Sequence, residues 1–398
     1  MEEFIADLHI HSRFARATSK NIDIPTLVKW AKTKGINLLG TGDFQHPQWS
    51  QEIKKLQEKE GLLYYQDFPF LWQTEISLMY KQDGKGRRIH HVILSPNGEV
   101  SKQITEFLGS KGRLDYDGRP IFGFSSIELV EAMEKIDKNI EIIPAHCLTP
   151  WFGIFGSKGG FNNLKEAFQE KADKIHAVES GMSADPEMLT KFSFLNNRAV
   201  VSFSDSHSFW PWRMGREATI FQGELNYQNI IKQIRQNSFK GTVETEPSYG
   251  RYHWDGHRSC NFSCSPEETR KLRGKCPKCG QPLTIGVEYR VEELTDQGGE
   301  FNKKPYYKLL PLHELIALSN GSSLNSKKTW VTYNHLLEKF GNEFQILLNT
   351  KKEDLARMLD EKLVTLIMKN REGKIKIKPG YDGEYGIALL DEKQKTLF

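Results

Sequence analysis

The chain has 398 residues, too many for one ordinary core, and its 38% hydrophobic content is enough to fill two or three. No apolar run approaches the roughly 20 residues of a membrane span, and Met1-Glu2-Glu3 lacks the basic start of a secretory signal, so a soluble cytoplasmic protein with no membrane partner is expected. The formal charge of +4 is unevenly spread: residues 301–398 hold 17 Lys and Arg against 12 Asp and Glu, leaving −1 on the first 300, so the last quarter allows an anionic partner without demanding one.

From the N-terminus to about residue 245, strand-like runs alternate with helical ones. Phe4, Ile5, Ala6 and Leu8 form a short buried strand. Residues i and i+2 of a strand point the same way, so His9 and His11 project together from its C-terminal end. A helix over 24–34 follows, with Asp23 as its cap and Pro25 suited to its first turn. A second strand over 36–39 ends in Gly-Thr-Gly-Asp-Phe-Gln-His-Pro, residues 40–47. Further strands are predicted at 73–80, 89–95, 141–145, 174–179, 198–203 and 217–221. Helices are predicted at 49–58, 101–108, 125–137, 162–170 and 226–237. The alternation favours an α/β fold, a parallel sheet or closed barrel with helices outside.

The polar residues at the strand ends carry the chemistry. Asp43 and His46 follow the second strand, Glu75 lies in the third, His90 and His91 open the fourth, His146 follows Ile142-Ile143-Pro144-Ala145, and Asp205 and His207 follow Val200-Val201-Ser202-Phe203-Ser204. Counting His9 and His11 and only one of His90 and His91, six of the twelve histidines and three carboxylates share one register with the strands. Packing does not explain that recurrence, because buried charge without a partner is too costly to repeat by accident.

This succession of His-x-His, Asp and His, Glu, His, His and Asp-x-His resembles the PHP (polymerase and histidinol phosphatase) metal-dependent phosphoesterases over residues 1–240. It is met by His9, His11, Asp43, His46, Glu75, His91, His146, Asp205 and His207. His91 is preferred to His90 because it abuts Val92-Ile93-Leu94, and alternation lets one of the pair face inward. The resemblance implies a distorted seven-stranded (β/α) barrel holding two or three divalent metals. Mixed imidazole and carboxylate ligands suit Zn²⁺, Mn²⁺ or Fe²⁺ better than Mg²⁺. Such ions activate water and clamp the attacking and leaving oxygens of an in-line displacement, so no Ser or Cys nucleophile is needed. Glu75, Asp205 and His207 are the expected catalytic residues, with Glu75 bridging two ions and Asp205 bridging or steering the water.

Loops after the ligands offer candidate substrate contacts. Residues 147–163 follow His146 and mix aromatic side chains with four glycines and Lys158. Trp151, Phe152 and Lys158 are placed there to stack a base or hold a phosphate, or else the loop packs as a lid. Arg13 and Arg16 after the first ligands, and Arg213 and Arg216 after His207, are candidate phosphate contacts, with solvated arginines as the alternative. Glu179 and Ser180, at another strand end, also reach towards the substrate.

Of five cysteines, four cluster as Cys260-x3-Cys264, eleven residues, then Cys276-Pro-Lys-Cys279. An odd count without a signal peptide argues for metal rather than disulfides. A four-thiolate zinc ribbon within 246–290 accounts for the spacing, structural because four thiolates leave no open position, with His257 as the substitute ligand. Beyond 290 the pattern is mainly helical and basic to residue 392, with helices near 311–318, 332–339, 342–348 and 351–368. Lys374-Ile375-Lys376-Ile377-Lys378 alternates as a strand whose lysines follow a phosphate backbone or protect a sheet edge.

Barrel (1–245), zinc module and basic tail together resemble, over essentially the whole chain, the DNA-repair endonucleases of the PHP family. That implies hydrolysis of the phosphodiester 5′ of uracil, hypoxanthine, xanthine or an abasic site in double- or single-stranded DNA, leaving 3′-hydroxyl and 5′-phosphate ends. The lesion must leave the stack to be inspected, and the 151–155 loop is the expected wedge. A phosphomonoesterase of the histidinol phosphatase type would share the barrel but have little use for a zinc module and tail; an inactive scaffold would not need a complete ligand set. Lastly, Gln394-Lys395-Thr396-Leu397-Phe398 resembles the Gln-x-x-Leu-Phe peptides that dock on sliding clamps, through Gln394, Leu397 and Phe398 in a tail over 393–398.

Overall fold

The computed structural model describes residues 2–296 and 304–390, so the clamp-like peptide with Gln394, Leu397 and Phe398 lies outside the described residues. Among the described residues no helix is long and apolar enough to cross a membrane.

Strands β1 (Glu3–Asp7) and β2 (Leu38–Gly40) run parallel. Between them the Ile24–Lys34 helix forms as its sequence dictates: Asp23 accepts from the Thr26 amide, Pro25 sits in the first turn, and Gly35 ends the helix in the left-handed conformation. The helix expected over 49–58 starts at Pro47 and stops at Ile53. The chain then makes a meander with no counterpart among the predicted strands, β3 (Gln57–Lys59), β4 (Leu62–Tyr65) and β5 (Phe68–Leu71), the last parallel to β2.

Next come β6 (Gln73–Gln82) and β7 (Lys85–Leu94), a long hairpin. Its two-residue turn, Asp83-Gly84, has φ of 53° and 73°, the left-handed pair that a tight hairpin with right-handed strand twist requires. The turn makes the strand arrangement mixed rather than wholly parallel: β7 is antiparallel both to β6 and to β9 (Glu141–Pro144). The short β8 (Ile121–Phe122) flanks β6. β10 (Ala177–Glu179) and β11 (Ala199–Val201) are parallel, and β12 (Ala218–Gln222) and β13 (Gly241–Glu244) continue outward from β1 as antiparallel neighbours.

Hydrogen bonds at the strand ends link these sheets to one another. Cys147 N donates to Glu179 O (2.9 Å), joining β9 to β10, while His11 N donates to Ser206 O (3.0 Å), bringing the end of β11 back to β1. Ala6, Leu8, Leu38, Val92, Ile143, Ala177, Val201 and Phe203 fill the interior, and a larger apolar cluster lies under the surrounding helices.

Beyond the barrel, β14 (Asp255–His257) and β15 (Phe262–Cys264) form the hairpin of the cysteine module. β16 (Tyr306–Lys308) returns to the barrel sheet, parallel to β13 and at its edge. Helices Leu312–Asn320, Lys327–Phe340 and Glu361–Arg371 follow, the helix expected over 351–368 being broken where Asp360 caps a new one by accepting from Leu363 N at 2.8 Å. Lys34, fully buried, ties this helical part to the barrel through Glu343 (2.6 Å) and the carbonyl of Pro211 (2.8 Å). The chain then forms a ribbon of β17 (Lys376–Lys378) and β18 (Ile387–Leu389), with Lys376 and Lys378 on its exposed side.

Candidate metal centre

His9 and His11 leave the end of β1 fully buried, and each is held by a carboxylate on one ring nitrogen. Nδ1 of His9 lies 2.9 and 3.1 Å from the two oxygens of Glu179; Nδ1 of His11 lies 2.9 Å from Asp43. The opposite nitrogens are thereby aimed into the barrel mouth. Nε2 of His11 is 3.1 Å from Glu75 and 3.2 Å from Asp205, and Nε2 of His9 is 3.6 Å from both. On the other side of Glu75, its second oxygen is 2.9 Å from Nδ1 of His90 and 3.2 Å from Nε2 of His146. Two ligand sets result, His9, His11, Glu75 and Asp205, and Glu75, His90 and His146, each with its donor atoms within 4.8 Å of one another.

These residues fit a pair of cations. Nε2 of His9, Nε2 of His11 and Oδ1 of Asp205 are buried and accept or donate no hydrogen bond, a cost of about 1–3 kcal/mol each that a shared positive charge removes. Burial opposes ionisation throughout, and the neighbours overcome it. Glu179, Glu75 and Asp205 lift the His9 pKa well above its usual value, while His90, Arg119 and His9 hold Glu75 well below the usual carboxylate range. Asp43, His146 and Asp205 all adopt left-handed backbone, with φ of 41°, 33° and 48°. Non-glycine residues carry that strain where a side chain must be aimed.

The ligand positions expected from sequence divide three ways. His9, His11, Glu75, His146 and Asp205 converge in the two sets. Asp43, His46 and His207 surround them: Asp43 props His11 and accepts from the backbone and hydroxyl of Ser12 (2.7 and 2.6 Å), His46 stacks on Phe14 (4.3 Å), and the His207 ring lies 4.5 Å from that of His11. His91 points away, its Nε2 2.8 Å from the hydroxyl of Ser126, and His90 takes its place. The hairpin register decides this, pairing Ser77 with His90 and Ile76 with His91. Cross-strand partners share a face, and Ser77 shares that of Glu75. Arg119, which donates to Glu75 at 2.9 Å, had no signal in the strand pattern because it lies in a loop. Glu179 had one, its place at a strand end.

The centre opens into a cavity of about 700 Å³ whose far wall carries Arg213, Arg216, Arg251 and Tyr385. Arg213 lies over the Tyr385 ring at 5.0 Å, and half-buried Arg216 donates to Ser204 O at 3.1 Å. Phe152 stacks on His90 (4.3 Å), and Trp151, 38% exposed at the rim, has the Lys158 ammonium 5.8 Å from its ring. Arg13 spends its guanidinium on Glu52 and Ile22 O (2.9 Å), whereas Arg16 is exposed beside Asp117.

In the cysteine module, His257, Cys260, Cys276 and Cys279 bring their donor atoms together. Cys264 does not join them, which corrects the four-thiolate expectation. It is buried against Cys276 and Leu283, with its sulfur 3.2 Å from the Thr269 hydroxyl. In the hairpin His257 faces Phe262 beside the turn that carries Cys260, whereas Cys264 faces Asp255 at the far end. The wide first spacing is therefore met by an imidazole, and a closed set of one nitrogen and three sulfurs suits structural zinc.

Residues 311–374 match the family model of the MJ0043 C-terminal domain. The protein MJ0043 of Methanocaldococcus jannaschii is 34% identical over 249 residues, 61% of this chain and 31% of that protein, so the chain spans about a third of that relative's length. Two crystal structures match throughout at 29% identity. The lesion-specific endonuclease PfuEndoQ of Pyrococcus furiosus has a TM-score of 0.88, over 100% of this chain and 98% of that one. Endonuclease Q in complex with a 27-mer duplex carrying an abasic lesion at the active site has a TM-score of 0.89, over 100% and 99%.

Proposed function

We propose that the chain, which has the fold of endonuclease Q, is an endodeoxyribonuclease that hydrolyses the phosphodiester 5′ of deaminated bases such as uracil, hypoxanthine and xanthine, and of abasic sites, leaving 3′-hydroxyl and 5′-phosphate ends. The observation that carries this reading is the set of buried, unpartnered donor atoms around Glu75 on the floor of a cavity walled by arginines and aromatic rings. The two ligand sets would hold divalent ions there, and such ions would supply water activation and positive charge for the phosphoryl oxygens.

The chain's own residues do the rest. Glu179 and Asp43 fix the tautomers of His9 and His11, and Phe152 covers His90 and keeps bulk water from that side. Trp151 at the rim is the wedge that fills the gap left by an extruded nucleotide, a step that is easiest for a weakly paired or missing base. Lys158 beside it, Arg213 in the cavity wall and exposed Arg16 meet backbone phosphates.

Labelled duplexes with uracil, hypoxanthine or an abasic site test the proposal against wild type and Asp205→Asn. A nick immediately 5′ of the lesion is expected, abolished by chelator and slowed by about a hundredfold or more in the variant. Cleavage of a simple aryl phosphate without any nicking of lesion duplex would overturn it.

A further inference from the structure

We infer that Arg119 is a catalytic residue: anchored on Glu75, its guanidinium binds a non-bridging oxygen of the scissile phosphodiester. The inference rests on the phosphodiester-cleaving reading of the site. Arg119 belongs to residues 112–120, which leave the Gly98–Lys111 helix and pass across the barrel mouth before Pro120 O accepts from Ser77 N (3.0 Å) at the start of β8.

That segment is pinned from several directions. One oxygen of Asp117 accepts from the amides of Arg16 and Arg119, both at 3.1 Å. Gly118 N donates to Phe14 O (3.1 Å), and Gln45 donates to Gly118 O (2.6 Å). Gly118 lies so close to the centre that a Cβ there would sit 2.2 Å from Oδ2 of Asp43. The backbone beside Arg119 is therefore located against the same carboxylate that orients His11.

From this anchor Nη1 of Arg119 donates to the Glu75 oxygen that faces His9 and His11 (2.9 Å). One prong of a five-donor fork is thus committed to the carboxylate shared by both ligand sets. The side chain is 23% exposed and lines the cavity beside Asp205 and His207, so the rest of the fork faces the space a phosphate would enter. A guanidinium offers parallel donors to two phosphate oxygens, which a lysine does not.

Arg119 transfers no proton in this step. The water oxygen gives up a proton to solvent as it bonds to phosphorus, the P–O3′ bond breaks, the departing O3′ oxygen takes up a proton from solvent to become the 3′-hydroxyl, and the guanidinium stays charged while negative charge grows on the non-bridging oxygen it holds. A positioned cation of this kind contributes most in the transition state, and its loss costs about 10²- to 10³-fold in rate.

The test compares wild type with Arg119→Ala and with Arg119→Gln, which keeps a donor for Glu75 but no charge and serves if the alanine variant is unstable. Elemental analysis should find the same number of bound ions in all three. On lesion duplex kcat should fall about a hundredfold with KM within a few-fold, and added guanidinium ion should restore part of the rate of the alanine variant. Loss of the barrel ions would make Arg119 a prop for Glu75, and wild-type kcat in either variant would remove it from the reaction; both results overturn the inference. Failure of the wild type itself to nick lesion duplex would instead overturn the proposed function.

Discussion

His90 and His91 are adjacent in the chain and opposite in role. Burial pushes both imidazoles down to about 3, so each is neutral and available as a donor or ligand near pH 7. Only His90 shares the face of Glu75. His90→Ala should therefore bind fewer barrel ions and nick at least tenfold more slowly. His91→Ala should keep its full metal content and instead lower thermal stability, because Ser126 is left with Tyr80 as its one remaining side-chain partner and a cavity opens, at about 2–4 kcal/mol. Metal analysis beside melting curves distinguishes the two.

What is legible in the sequence at this scale follows from the same geometry. His9, His11, Glu75, His146 and Asp205 stand out because strand periodicity aims them at one end of the barrel, where polar side chains recur only if they share a partner. The choice between the two histidines is not decided by the neighbouring apolar run, which says nothing about facing. The informative mark is Asp83-Gly84, a two-residue turn that sets which residues stand opposite Glu75. Asp43 is legible as a site residue while its contact is not, since a carboxylate beside an imidazole looks alike in sequence whether it touches a metal or the ring behind it.

Among the elements, the cysteine module shows how a hairpin overrides a motif. Four cysteines at zinc-like spacing are present, yet the β14–β15 register keeps one in an apolar cluster and brings His257 to the turn. Cys264→Ser should retain zinc against a competing chelator, whereas His257→Ala should weaken zinc affinity at least tenfold. The module also reaches the cavity. Arg290, on the Val287–Leu294 helix that follows it, donates to Phe155 O (2.8 Å) and Phe161 O (3.1 Å), and Ser157 donates to Ile285 O (2.9 Å). The loop carrying Trp151 and Phe152 is thus fastened to the zinc-binding part, a long-range contact that no local pattern announces. Helix ends are clearer, as at Asp23 and Gly35, because capping is a matter of a few adjacent residues.

At the scale of the whole molecule, burial of charge limits stability. Glu217 and Glu244 are fully buried neighbours at the start of β12 and the end of β13. Glu244 accepts from Ser180 (2.8 Å) and Ser202 (3.0 Å), Glu217 accepts from Thr245 N (3.2 Å), and one oxygen of each has no hydrogen-bond partner. Burial raises both pKa values, with the charge of Glu244 adding to the rise at Glu217 and that of Asp185 adding to the rise at Glu244, which reaches about 8. A carboxyl raised on folding keeps its stability below the unfolded value and loses it as pH climbs through the folded one. Melting temperature should therefore fall between about pH 5 and pH 8 in the wild type, and fall less steeply in Glu244→Gln, measured by thermal scans in matched buffers.

The far end of the polypeptide is built into the near end. Lys34 is locked between Glu343 and Pro211, and Trp330 of the helical part packs on Trp30, Trp210 and Trp212 beside the loop that bears Asp205 and His207. β16 completes the sheet by covering the side of β13. Anyone trimming the gene to isolate the catalytic half would unzip that seam, leaving a raw row of amides and carbonyls beside a ripped aromatic patch. The excised piece would be sticky before it was inactive, and a clumped preparation would report on the scissors rather than on the chemistry.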